Sequence, residues 1–101
     1  MATVKTAIRV VAHVVALPGK QEEVKLALID LVEPTRREEG CLVYELQQNQ
    51  VDSTDFVFIE EWESETLLNA HLESPHMNEV DAKLDGLLAA PPDIRLYRLL
   101  V

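Results

Sequence analysis

The chain holds one cysteine, Cys41, so no internal disulfide can form. A reducing, cytoplasmic compartment is the expectation. Glycine is scarce at three residues, and none belongs to a phosphate-cradling loop or nucleotide fingerprint. Basic residues are few, nine against 18 acids, for a net charge of −9. That balance argues against nucleic acid and anionic membrane surfaces, both of which attract basic patches. Long apolar runs are also missing. The richest, residues 8–17, is broken by Arg9 and His13 and falls far short of the roughly 20 residues that span a bilayer. The amino terminus lacks the basic head, apolar core and small-residue cleavage site of a secretory signal. With no linker, repeat or low-complexity tract, the expectation is one domain over residues 1–101.

What is present is apolar residue, 48% of the chain. That is high for a domain this small, and part of it is expected to meet a partner chain. The pattern reads β-α-β-β-α-(α)-β. Residues 6–17 form a first strand, broken by Pro18-Gly19. A helix starts near Lys20, with Val24, Ala27, Leu28, Leu31 and Val32 as its apolar stripe. Pro34 must kink it or split off a last turn over residues 35–39, before Gly40 supplies a left-handed cap. In the second strand, residues 42–50, Leu42, Tyr44 and Leu46 face one way. The third, residues 56–61, is apolar on both faces and returns antiparallel. Ser64 caps a short helix, and Ser74-Pro75 restarts another. Met77, Val80, Leu84, Leu87 and Leu88 make that helix's stripe, Pro91-Pro92 ends it, and residues 94–101 are the last strand.

This order predicts an α+β, ferredoxin-like β-α-β-β-α-β fold with a four-stranded antiparallel sheet. Helices cover one face. Val11 and Val15 mark the other as apolar too, so a second copy is expected to cover it, giving a dimeric α/β barrel: a homodimer or higher homo-oligomer.

The most informative stretch is residues 60–77. It joins an apolar strand to a short helix and holds the only tryptophan, Trp62, with His71 and His76. Aromatic surface and imidazole at a strand–helix junction suit a small pocket for proton chemistry.

Three segments resemble the antibiotic biosynthesis monooxygenase family: Glu39-Gly40-Cys41-Leu42-Val43-Tyr44, Phe58-Ile59-Glu60-Glu61-Trp62-Glu63-Ser64 and Ala70-His71-Leu72-Glu73-Ser74-Pro75-His76-Met77. With Pro18-Gly19-Lys20, the resemblance spans nearly the whole chain. It implies a ferredoxin-like dimeric barrel. It also implies one of several activities: quinol oxygenation without metal or flavin, haem degradation, or isomerisation of a phosphorylated autoinducer-2 breakdown product. The haem-degrading pattern needs an asparagine near Ala12 and an axial histidine near Asp81, and both are missing, although Trp62 matches that branch's pocket tryptophan.

Each candidate has a sharp and a plain reading. His76 falls at the second position of a helix, which suits a neutral ring able to take a hydroxyl proton, or a simple cap. His71 shares a side with Leu67 and Leu68 and points inward, as base, substrate partner or satisfied core residue. Trp62, Phe58 and Leu72 wall a pocket or fill a core, and Tyr44 orients a substrate oxygen or bonds protein or water. His13 lines the pocket or a dimer seam. Metal ligation is not expected, because the histidines show no paired spacing and the nearby acids read as solvent-facing. Cys41, beside Glu38 and Glu39, reads as an inert thiol.

The reading is a monooxygenase that uses no cofactor, taking a small aromatic quinol or polyphenol and O2. His76 or His71 would be base, Tyr44 an orienting group, and Trp62, Phe58, Leu72 and His13 the substrate's surroundings. An isomerase of a small phosphorylated dione is the alternative, with Lys83, Arg95 or Arg98 as phosphate grip. A ligand-binding dimer without turnover is the third.

Overall fold

The computed structural model describes residues 7–101. Its elements run β1 (Ile8–Val15), α1 (Gln21–Ile29), α2 (Val32–Arg36), β2 (Cys41–Gln48), β3 (Asp55–Trp62), α3 (Glu65–Leu72), α4 (Pro75–Leu84) and β4 (Asp93–Tyr97). The expected start of the first strand at Thr6 lies outside the described residues. The sheet is antiparallel, in the order β2-β3-β1-β4. This is the ferredoxin-like arrangement.

The barrel expectation is corrected. The sheet is open, with β2 and β4 as its two edges. Closure would need the two edge strands to pair, and β2 and β4 lie at opposite sides of the sheet, separated by β3 and β1. The face away from the helices is also less apolar than Val11 and Val15 suggested. Arg9 pairs with Glu61 there at 3.4 Å, and His13 with Asp55 at 3.3 Å.

The helix-covered face holds the core. Val10, Ala12 and Val14 of β1 lie beside Phe56, Phe58 and Trp62 of β3, and α1 packs against α4 above them. Between Pro18 and Gly40 the helix breaks at residues 30–31, ahead of Pro34. Proline lacks an N–H and clashes with the carbonyl four residues back, here Asp30. Pro34 is therefore accommodated in the first turn of α2, where its missing donor is harmless.

Local corrections follow from specific backbone events. Register shifts between Cys41 and Val43, which oppose Trp62 and Glu61. This bulge turns Leu42 outward, 44% exposed, instead of inward with Tyr44 and Leu46. Helix α4 ends at Leu84 rather than at the prolines, and Gly86 at φ +78° redirects the chain. Leu87 and Leu88 thus lie beyond the helix, although both still pack on the core. The last strand stops at Tyr97. Among the described residues no helix is long and apolar enough to cross a membrane.

Candidate active site

Ser74 makes the geometry of the junction between α3 and α4. Its hydroxyl donates to the His71 carbonyl at 2.6 Å, and the same oxygen accepts from the Met77 amide at 3.4 Å, capping α4. Pro75 occupies the first position of α4, and His76 follows in its first turn. At the other end of α3, Ser64 Oγ accepts from the Leu67 amide. The two histidines are thus held at fixed positions on either side of one tight connection, with ring centroids 6.0 Å apart.

A third residue joins them. Glu38 lies in the turn after α2, tied by its amide to the Thr35 carbonyl at 3.0 Å. Gly40, at φ +84°, lets that turn press against α3, and a Cβ there would collide with the Leu67 side chain. Glu38 is thereby delivered to the histidines. Its Oε2 lies 2.5 Å from His71 Nδ1 and 3.0 Å from His76 Nε2. One carboxylate oxygen lies within hydrogen-bond distance of both rings, and the three ligand-capable atoms lie within 4.8 Å of one another. The acids near the histidines in sequence, Glu65, Glu73 and Glu79, do face solvent; the carboxylate that meets the rings comes from a distant segment, where packing of the Gly40 turn brings Glu38 inward. These three residues have the donor types to hold a metal ion.

Behind this cluster the contacts are aromatic. His71, 1% exposed, stacks on Trp62 at 4.7 Å and meets Tyr44 edge-on at 5.6 Å. Trp62 Nε1 donates to Glu60 Oε1 at 2.9 Å, and Glu60 opposes Tyr44 in the sheet register. In front of His71 lies a cavity of about 320 Å³ between the sheet and the helices. Its walls are mostly apolar, with Phe58, Leu31, Leu72 and Met77 prominent, and its polar groups are Tyr44, Glu60, His71 and Asp81.

Burial sets the protonation of these groups. It lowers the His71 imidazole below its ordinary value, and Glu38 only partly opposes this, so the ring is neutral at pH 7. Burial pushes the Glu60 carboxyl up to about 7, against the Trp62 hydrogen bond that favours its charged form. Burial, with the Glu60 charge second, raises the Tyr44 phenol well above its usual range. The Cys41 thiol is pushed up to about 11, again by burial first. Cys41 is therefore no thiolate nucleophile at neutral pH.

A family model described as antibiotic biosynthesis monooxygenase matches residues 7–83. The chain belongs to the antibiotic biosynthesis monooxygenase family. It is 34% identical over 83 residues to YcnE of Bacillus subtilis, which carries a provisional monooxygenase name, covering 82% of this chain and 87% of that one. An uncharacterised Synechocystis protein, sll1783, is 30% identical over 90 residues, which are 89% of this chain. The match spans 61% of that longer relative. Among solved structures, PA3566 from Pseudomonas aeruginosa superposes with a TM-score of 0.91 at 31% identity, covering 99% of this chain and 100% of its own.

Within this family member, the residues singled out by sequence fall in three places. His71, Tyr44, Phe58 and Leu72 line the cavity. His76 and Trp62 flank it through His71, one across Glu38 and the other by stacking. His13 lies elsewhere, on the opposite face of the sheet beside Asp55, because odd-numbered β1 residues point away from the helices. Ala12 and Asp81, where the haem-degrading branch would place its asparagine and histidine, both line the cavity. The proposed phosphate grip is not there. Lys83 pairs with Asp30 at 3.6 Å and Arg95 with Asp93 at 3.2 Å, and neither these nor Arg98 lines the cavity.

Two residues escaped the sequence reading. Glu60 had a signal, since it falls in the same alternating set as Phe56, Phe58 and Trp62 and must share their buried face. Glu38 had none, as it sits 33 residues before His71, in a turn.

Proposed function

We propose that this family member is a monooxygenase of quinol-like phenols, with O2 as oxidant and no metal or flavin in the chemical step. The observation that carries this is His71: a buried, neutral imidazole that lines an apolar cavity and is held by a carboxylate from outside it. With Nδ1 engaged by Glu38, the other ring nitrogen takes the phenolic proton. Glu38 stabilises the imidazolium that forms. His76, whose side chain is partly exposed, then relays the proton outward.

The phenolate passes one electron to O2, giving a substrate radical and superoxide. Their recombination forms a carbon–oxygen bond and leaves a ring peroxide anion. Protonation and O–O cleavage release water, so quinol plus O2 becomes hydroxyquinone plus H2O. Both electrons needed for that water come from the substrate. The apolar walls keep bulk water from the anion, and Tyr44 and protonated Glu60 can each donate a hydrogen bond to developing negative charge. Phe58 and Leu72 provide flat and aliphatic wall for an aromatic ring, while Trp62 holds His71 in place.

Oxygen uptake by chelator-treated protein with a panel of quinols tests the proposal. Uptake above autoxidation is expected, falling by about 100-fold or more in His71→Ala and less in His76→Ala. Quinone binding without uptake would turn the reading into a ligand-binding module. Undiminished uptake in His71→Ala would remove the assigned base.

A further inference from the structure

We propose that Glu38, His71 and His76 also form a binding site for a divalent transition-metal ion such as Zn²⁺, and that occupancy shuts off the proton path. The second half rests on the function proposed above; the first half does not.

Two imidazoles and a carboxylate are donors that Zn²⁺ and its first-row neighbours accept readily. Here they come from three separate segments: the turn after α2, the end of α3 and the first turn of α4. They converge on one point, because His71 offers Nδ1 and His76 offers Nε2 to the same oxygen. Around a tetrahedral ion with bonds of about 2.0–2.1 Å, donors sit roughly 3.3–3.4 Å apart. The observed spacings, 2.5 and 3.0 Å to the carboxylate and at most 4.8 Å overall, bracket that value. Small side-chain rotations therefore suffice.

The surroundings favour a cation. The chain carries a net charge of −9. Ser74 and the Gly40 turn hold the donors in place, and Trp62 fixes the His71 ring from behind. Access comes from the outer side, where His76 and Glu38 side chains keep 22% and 19% of their surface. A metal and the relayed proton need the same lone pairs, so both cannot be held together.

Calorimetric titration of Zn²⁺ into the chelator-stripped full chain tests this, with Co²⁺ visible spectra as a second probe of ligand geometry. One ion per chain is expected. His76→Ala and Glu38→Gln, with unchanged circular dichroism, should each weaken binding by at least about tenfold. His13→Ala, remote from the cluster, should leave it unchanged. If Glu38→Gln does not fold, His76→Ala decides, since its ring is partly solvent-facing. No stoichiometric binding by the parent chain, or binding indifferent to His76→Ala, overturns the site. In the activity arm, Zn²⁺ should suppress oxygen uptake over the concentrations at which it binds. Binding without suppression overturns the shut-off. Absence of uptake before any metal is added refutes the oxygenase reading instead, while the calorimetric result stands.

Discussion

Replacing Glu60 by glutamine should stabilise the protein in alkali and leave it little changed in acid. Glu60 is 6% exposed, between Phe58 and Trp62. Its carboxyl rises from an ordinary 4.5 to about 7. A folded value above the unfolded one means that the native state binds the extra proton between those limits. The associated stability is fully present below about pH 4.5 and is lost as pH rises through about 7. At about 1.4 kcal/mol per pH unit, the loss comes to roughly 3 kcal/mol. Glutamine keeps an oxygen to accept from Trp62 Nε1 but carries no charge to desolvate. Urea or thermal unfolding of both proteins, from about pH 4 to pH 9, measures the effect. Above neutrality the variant should gain on the order of 10 °C in Tm, and the advantage should shrink towards zero below about pH 4.5. A stability difference that stays constant across the range would refute the reasoning, because it would show that Glu60 does not titrate between the two limits.

Cys41 should react slowly with a disulfide reagent in the native state, since a thiol at about 11 holds about a hundredfold less thiolate at neutral pH than one at 9.0. Denaturant should restore ordinary reactivity; fast native labelling would contradict its burial. Gly40→Ala should cost about 2 kcal/mol or more, from a left-handed backbone and the Leu67 collision together, with a lower urea midpoint as readout. Ser74→Ala should cost about 1–2 kcal/mol in the same assay, through loss of the α4 cap and the hydroxyl bond to the His71 carbonyl.

Sequence alone determined most of what depends on local pattern. Alternation in residues 56–62 puts Phe56, Phe58 and Trp62 together on one face, and the structure buries that face more fully than the one with Val57 and Ile59. Ser64 and Ser74-Pro75 announce helix starts, and Gly40 a left-handed turn, because caps and turns are chemistry of a few neighbouring residues; the helix before Gly40 already ends at Arg36. The motifs around Tyr44, Trp62 and His71 identify the family for the same reason: they are short and ordered along the chain. Strand 42–50 shows where local pattern ends, since the bulge that expels Leu42 depends on pairing with β3.

Tertiary structure decided what rests on distant partners. It left the sheet open where a dimeric barrel was expected, because strand edges are a property of pairing and not of composition. It moved His13 away from the cavity and brought Glu38 to His71 and His76 across 33 and 38 residues. It also set the protonation states of His71 and Glu60, since desolvation is exerted by everything packed around a group rather than by its neighbours along the chain.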